Sequence, residues 1–239
     1  MPDHAMLSAE AHRDLRVRTD RDAALGDAVM CCITVPTEFR DVQADYPILF
    51  RLDYETDRFT ALAMFGFEEG ENLFLEAEGW DARYVPLAVA IQPFLIGRAA
   101  PDAPPSQVHV DLASPRIDRD GGGVRLFDED GRPTPYLDNV AEQLGALHEG
   151  YEASNAFFAA LRRHSLLEPL TLEVTLDSGA KNNLVGFHVI DEEALRDLDA
   201  AALGALHDAD HLMPIFMAVA SIGKLQSLVA RKNRRVANG

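Results

Sequence analysis

The fold is decided by residues 170–193, which read LTLEVTLDSGAKNNLVGFHVIDEE. Apolar and polar side chains alternate over 170–176, a turn follows at 177–179, and a second apolar run covers 184–190. Alternation with a period of two places the apolar side chains on one face of a strand, so two such runs joined by a turn predict an antiparallel hairpin. Asp191, directly after it, is typical of a residue that caps a helix N-terminus. The stretch therefore predicts a hairpin that leads into helices.

Helical patterns flank this hairpin on both sides. Upstream, Thr134-Pro135 is typical of an N-cap followed by proline at the first helical position, and apolar residues then recur at steps of three and four. One long helix, or two helices divided at Gly150, accounts for this spacing. Downstream, the last helical run begins at Pro214. The C-terminal half is thus predicted to be mainly helical.

The N-terminal half reads as strands. Residues 28–35, 48–52 and 59–65 are apolar runs, and the polar connection between the last two has the length of a hairpin loop. Residues 97–105 read as a loop. Strands followed by helices do not alternate in the regular manner of a doubly wound sheet. The sequence predicts an α+β fold, with antiparallel hairpins in a strand-rich N-terminal half and helices concentrated in the C-terminal half.

The domain organisation is predicted to be simple. Residues 1–25 are polar and charged, and we expect a flexible arm that pairs along a sheet edge. Residues 26–239 are expected to form one domain, because no linker rich in glycine or proline divides them.

The charge balance limits the partners. The chain has 39 acidic and 22 basic residues and a net charge of −17. This charge repels nucleic acid backbones and anionic lipid headgroups, so neither nucleic acid nor a bilayer is expected as a partner. Residues 224–239 are the exception, because they hold five cations and no acid.

This basic C-terminal segment has two interpretations. Its cations can stabilise a helix C-terminus through the macrodipole, ahead of a frayed end. Alternatively, apolar residues hold the helix on the core while its cations project and contact an acidic partner surface or a second copy of the chain. The cations expected to project are Arg231, Lys232, Arg234 and Arg235. In that case truncation after Ala230 leaves folding intact.

The cysteines and the apolar runs indicate a compartment. Cys31 and Cys32 are adjacent, so on a strand they point to opposite faces and a disulfide between them would be strained. No basic segment followed by an apolar one opens the chain. No apolar run is expected to span a membrane, since Pro86 and Pro93 interrupt the longest candidate. These observations predict a cytoplasmic protein with reduced cysteines.

The sharpest candidate for chemistry is the pair His207 and His211. On a continuous helix, histidines four apart share one face, as in zinc peptidases, and Asp208 occupies the position of the catalytic base there. Asp208 has a shorter arm than glutamate, and Asp210 is typical of a helix cap, so we expect the helix to break between the histidines. The candidate metal site is His207, Asp208 and His211; the alternative is a solvated turn, with no cofactor.

A second candidate is the cluster of Trp80, Asp81, Arg83 and Tyr84. Indole, phenol, guanidinium and carboxylate groups together can line a ligand pocket, and the alternative is that they fix a loop onto the core. No serine lies in a Gly-x-Ser-x-Gly elbow. The sequence therefore assigns no catalytic residue.

Several short motifs, taken in their order along the chain, resemble the bacterial SapC family. They are Tyr46-Pro47-Ile48, Gly70-Glu71-Asn72-Leu73, Trp80 with Tyr84-Val85-Pro86, Pro93-Phe94, Leu126-Phe127-Asp128, Pro135-Tyr136-Leu137 and Asp191-Glu192. The resemblance implies a protein found beside TonB-dependent receptors, cupin-like oxygenases and tryptophan-halogenase-like proteins, with an accessory role in nutrient uptake or in modification of a peptide or protein.

Three functional hypotheses follow. The first is a soluble, non-enzymatic accessory protein that binds another protein of the same pathway, with a homo-oligomer also open. The second is an enzyme with an unrecognised site, either at His207 and His211 or around Trp80 and Arg83. The third is a surface-layer-associated protein, as the family name suggests.

Overall fold

The computed structural model describes residues 3–97 and 107–238. Its strands are β1 (His4–Met6), β2 (Arg16–Val17), β3 (Cys31–Thr34), β4 (Ile48–Asp53), β5 (Arg58–Met64), β6 (Leu75–Glu76), β7 (Gly79–Trp80), β8 (Phe94–Gly97), β9 (Gln107–Asp111), β10 (Ile117–Asp118), β11 (Val124–Arg125), β12 (Leu167–Thr175) and β13 (Lys181–Ile190). Its helices are α1 (Ala9–His12), α2 (Phe39–Val42), α3 (Leu87–Ala90), α4 (Pro135–Arg163), α5 (Glu192–Arg196), α6 (Ala200–Asp208), α7 (Leu212–Ser221) and α8 (Lys224–Asn238).

The main core is built on a five-stranded sheet. Its strand order is β12-β13-β4-β5-β3, and all neighbouring strands are antiparallel. On β4, Ile48, Leu49 and Phe50 are all fully buried, so both faces of the sheet are covered there. Phe50 packs edge-on against Phe158 of α4, with ring centroids 5.5 Å apart. The Ile48 N–H donates to Ser221 Oγ of α7 at 2.9 Å. Helices α4 and α7 therefore both pack against the five-stranded sheet.

A smaller apolar cluster forms around the sheets β1-β9-β8 and β10-β2-β11. Val17 of β2 and Val110 of β9 are fully buried in it. Val140, near the start of α4, packs in this cluster, whereas Leu161, near the end of α4, packs in the main core. With its 29 residues, α4 is about 44 Å long and connects the two clusters.

α4 is one continuous helix. The Thr134 hydroxyl accepts a hydrogen bond from the Leu137 N–H at the N-terminus, as the sequence predicts. Gly150 does not divide the helix. A Cβ at this position would lie 2.5 Å from Val35 Cγ2, so the glycine allows α4 to approach the end of β3 closely.

The N-terminal segment is built into the fold. β1 pairs with β9, and β2 pairs with both β10 and β11. The fully buried Arg116 donates to the Asp27 carboxylate at 2.5 Å and to the Asp20 carbonyl at 2.9 Å. Pairing along a sheet edge is therefore present at residues 4–6, but regular structure begins well before residue 26.

The α+β prediction is confirmed. Both predicted hairpins are present, as β4 with β5 and as β12 with β13. The predicted loop at residues 97–105 lies, apart from Gly97, outside the described residues.

The C-terminal apolar stretch is longer than the sequence predicted. In the described part of the chain, the stretch Leu212–Asn238 is long and apolar enough, by length and composition alone, to cross a membrane. In the fold it is two helices, α7 and α8, separated at Gly223. Ile215 and Leu228 are fully buried in the core, yet Met213 and Phe216 of α7 are exposed. Packing within this chain therefore accounts for only part of its apolar character.

Candidate functional site

Helix α7 has one buried and one exposed apolar face. Ile215, Ala218 and Ser221 face the core, and the Ser221 hydroxyl donates to the Ala218 carbonyl while it accepts from the Ile48 N–H. Met213 and Phe216 are 51% and 49% exposed. Residues three apart are neighbours on a helix surface, so these two side chains form one exposed patch.

A groove of about 340 Å³ lies beside this patch. Its walls come from α7, from α4 and from the chain just before α2, and they are mainly apolar. They include Pro36, Ala153, Phe157, His211, Met213 and Met217. Methionine side chains are flexible and polarisable, so such walls adapt to the shape of an apolar ligand. We refer to this groove and the adjoining Met213 and Phe216 as the α7 surface.

His211 adds a polar group to the α7 surface. Its ring packs edge-on against Phe157, with centroids 5.6 Å apart. Its Nδ1 is buried and has no hydrogen-bond partner among the described residues. Burial lowers the pKa of His211, although the charge of Asp210 opposes this effect. Burial therefore favours the neutral form of the imidazole in these walls.

The proposed metal site does not have the geometry of a zinc peptidase. α6 ends at Asp208, and Asp210 adopts a positive φ of 57° before α7 begins, so the predicted helix break is present. His207 is exposed at the end of α6, while His211 lines the groove. Within residues 3–97 and 107–238, no three histidine, cysteine or acidic side chains are grouped as metal ligands. The two imidazoles therefore do not share one helix face.

Trp80 fixes a loop onto the core. Its Nε1–H donates to the Tyr46 hydroxyl at 2.7 Å, and its ring packs edge-on against Phe65 at 5.1 Å. Tyr46 is fully buried, and its hydroxyl donates in turn to the Tyr84 carbonyl. The indole is thus held by both packing and a hydrogen bond.

Tyr84 belongs to a buried network around Glu38. The Glu38 carboxylate accepts hydrogen bonds from the Tyr84 hydroxyl at 2.8 Å, the Thr34 hydroxyl at 2.7 Å and the Leu87 N–H at 2.6 Å. Burial, assisted by the Glu38 charge, raises the pKa of Tyr84 well above its ordinary value. Burial also raises the pKa of the Cys32 thiol. Neither group is activated as a nucleophile or base.

The four residues of the second sequence candidate do not converge. Trp80 and Tyr84 point into the core, but the Asp81 carboxylate pairs with Arg231 at 2.7 Å. Arg83 is exposed, and its backbone N–H donates to the Asp45 carboxylate at 3.1 Å. The pocket interpretation therefore fails for this set, because its side chains serve separate contacts.

The expectation that four C-terminal cations project is wrong for three of them. Arg231 packs over the Phe74 ring at 4.3 Å while it pairs with Asp81. Arg235 donates to the carbonyl oxygens of Asn72 at 2.8 Å and Leu75 at 2.6 Å. These side chains are neighbours on one face of α8, and their acceptors are Asp81 and the backbone carbonyls of residues 72–75.

Lys232 is the third of these cations. It is 8% exposed, and its Nζ lies 2.5 Å from Glu71 Oε1 and 3.3 Å from Glu68 Oε2. Arg234 and Arg235 are both exposed, but Arg234 is the one of the four without a hydrogen bond or ion pair to the described residues. The basic end of α8 therefore anchors the helix to its own chain.

The family can now be assigned. A family model for SapC matches residues 7–228. The chain belongs to the SapC family. No curated protein and no solved structure matched it. The SapC match includes the whole α7 surface and ends at Leu228, three residues before Arg231.

Several SapC motif residues have roles in the scaffold. Tyr46 links Trp80 to Tyr84, as described above. The Asn72 side chain donates to the Asp27 carbonyl at 2.8 Å, and Glu71 accepts from the Phe67 N–H at 3.0 Å. The motifs that revealed the family therefore mark packing, and the α7 surface was missed because its residues form no motif. A helix without a single charged residue was its only signal.

Proposed function

We propose that this SapC-family protein is a soluble, non-enzymatic accessory protein that binds another protein of its pathway through the α7 surface. The observation that carries the proposal is the exposure of Met213 and Phe216 beside an apolar groove. Contiguous apolar patches larger than a few hundred Å² are uncommon on soluble monomers, and they mark protein interaction sites or ligand grooves.

The composition of the α7 surface supports a polypeptide partner. Aromatic residues, methionine and arginine are enriched at protein interfaces. Phe216, Met213 and Met217 supply the first two types, and the exposed Arg40 lies alongside, with its Nη2 3.8 Å from Met213 Sδ. A groove of about 340 Å³ has room for one or two apolar side chains. These features favour a short apolar segment of a partner as the occupant.

The polar chemistry of the core supports binding over catalysis. The Tyr84 hydroxyl and the Trp80 N–H are each engaged in a structural hydrogen bond. The elevated pKa of Tyr84 and of Cys32 disfavours an ionised nucleophile at either position.

The pathway is proposed from the SapC resemblance alone. It points to nutrient uptake or to modification of a peptide or protein, and to a halogenase-like, cupin-like or TonB-dependent receptor protein as the partner. We place the protein in the cytoplasm, and fractionation of the native cells tests that location.

A photo-crosslinking experiment tests the proposal. A photoreactive amino acid is introduced at position 216 and, as a control, at position 185, because Val185 on β13 is 67% exposed and does not line the groove. The crosslinked protein is identified by mass spectrometry and purified. Its Kd is then measured with the wild type, with Phe216→Asp and with Val185→Asp.

Loss of a buried aromatic anchor typically costs about 2 kcal/mol or more, so Phe216→Asp should raise the Kd at least about thirtyfold. Val185→Asp should change it less than twofold. The proposal fails if position 216 gives no specific adduct, or if both substitutions change the Kd equally.

A further inference from the structure

A second concave site lies at the end of α8. It has a volume of about 470 Å³, and three arginines, Arg231, Arg234 and Arg235, line it together with Glu76 and Asn238. Positions i, i+3 and i+4 are neighbours on a helix surface, so the three guanidinium groups face the same space. We call this site the basic concavity.

Two of the three guanidinium groups are held in place. Arg235 donates to two backbone carbonyls, and Arg231 donates to the Asp81 carboxylate at 2.7 Å and to the Asp81 carbonyl at 3.0 Å. Carbonyl oxygens are neutral, so they orient Arg235 without compensating its charge. A preorganised guanidinium loses less side-chain entropy when it binds a ligand.

The charge balance selects the ligand. Three arginines contribute three positive charges, and Asp81 and Glu76, whose Oε1 lies 4.0 Å from Arg231, contribute two negative ones. One positive charge remains in a chain whose net charge is −17. A single carboxylate neutralises that charge, whereas a phosphate dianion would leave the site negative beside Glu76.

We propose that the basic concavity binds a carboxylate side chain of the partner protein, with Arg234 and Arg235 as its donors. This inference depends on the proposed function, since it assigns the ligand to the protein that the α7 surface holds. The planar fork of arginine matches a carboxylate and can donate two parallel hydrogen bonds to it. The volume leaves room for the rest of an acidic side chain and its backbone.

The inference is tested without the partner by NMR on the full chain, with the guanidinium Nε–H resonances of Arg234 and Arg235 as reporters. The probes are N-acetyl-glutamate amide, N-acetyl-glutamine amide and inorganic phosphate. The glutamate probe should shift both resonances saturably, while the glutamine probe should not. Arg234→Ala should weaken the response at least fivefold. Arg196→Ala, an exposed arginine on α5, should leave it unchanged.

Three results overturn the inference: equal responses to the glutamate and glutamine probes, tighter binding of phosphate at the same resonances, or equal weakening by Arg196→Ala. With the purified partner, Arg234→Glu should raise the Kd about tenfold at low salt and reduce its salt dependence. If Phe216→Asp abolishes partner binding and Arg234→Glu leaves it unchanged, the carboxylate site is refuted while the proposed function stands.

Discussion

Replacement of Lys232 by methionine tests how α8 is anchored. Lys232 pairs with Glu71 at 2.5 Å, and both side chains are almost buried, at 11% and 12% exposure. Methionine retains most of the apolar stem but removes the ammonium group. Glu71 then keeps only the hydrogen bond from the Phe67 N–H at 3.0 Å. The substitution therefore leaves a nearly buried carboxylate without its cation.

The expected cost follows from that geometry. Removal of one partner of a buried ion pair typically costs about 3–5 kcal/mol, because the remaining charge is desolvated and uncompensated. Glu71 keeps one hydrogen bond and some contact with water, so we expect about 3 kcal/mol. A domain is stabilised by only about 5–15 kcal/mol, so this loss should shift the urea midpoint clearly. Lys224→Met is the matched control, because Lys224 is on the same helix and forms no ion pair within residues 3–97 and 107–238; it should cost about 0.5 kcal/mol or less.

Urea unfolding followed by circular dichroism provides the measurement, with equal m-values required for the comparison. A second substitution, Glu71→Gln, in the Lys232→Met background should restore part of the stability, because it removes the unpaired charge. If Lys232→Met costs no more than Lys224→Met, α8 is not anchored by this pair. By the same reasoning, truncation after Ala230 should destabilise the fold, contrary to the expectation from sequence.

Three further predictions concern pH and packing. Burial lowers the pKa of Lys232, but the hydrogen bond and the charge of Glu71 outweigh this effect and raise the pKa above 10.5. The pair should therefore stabilise the wild type below about pH 10.5 and lose this effect as the pH rises through the folded-state pKa. Urea titrations of the wild type and of Lys232→Met at increasing pH should converge there. Trp80→Ala should cost about 3 kcal/mol in urea unfolding, because it removes a large side chain from the core and the donor to the Tyr46 hydroxyl. If the variant keeps its stability but loses binding of a ligand, the structural role of Trp80 is contradicted. Gly150→Ala should cost about 1–3 kcal/mol through overpacking. Gly145→Ala is the control, because a Cβ there meets nothing within 4 Å, and it should gain up to about 1 kcal/mol of stability from helix propensity. Equal melting temperatures for the two variants would refute the argument that Gly150 is needed for the close approach of α4.

Local patterns account for the parts of the fold that the sequence predicted. The alternation over residues 170–176 and the turn after it define the β12–β13 hairpin, and Thr134-Pro135 defines the start of α4. The break between the two histidines is also present, but Asp210 does not cap α7; it adopts a positive φ of 57°, and His211 is the N-cap residue. Each of these signals lies within a few residues of the structure that it specifies, so it can be read without knowledge of the tertiary fold.

The remaining features depend on contacts between distant residues. Arg116 and Asp27 are 89 positions apart, and nothing in their local sequence indicates a buried ion pair. Lys232 and Glu71 are separated by 161 positions. The charge of Lys232 suggested a surface role, because the acidic turn at residues 68–71 that pairs with it is far from α8 in sequence. The α7 surface was missed for a related reason, since an entirely apolar helix predicts burial on all sides.

The sheet offers a partner a less favourable surface than α7 does. β12 is an edge strand of nine residues, so its outer backbone groups could pair with another strand. Pro169 has no N–H to donate, and the exposed Glu168 and Glu173 would bring like charges together if two β12 strands paired antiparallel. Such features disfavour association through this edge. Residues 212–221, in contrast, contain no charged side chain. Burial of the α7 helix face itself desolvates no charge, and the charged groups beside it, Arg40 and Asp210, line only the groove.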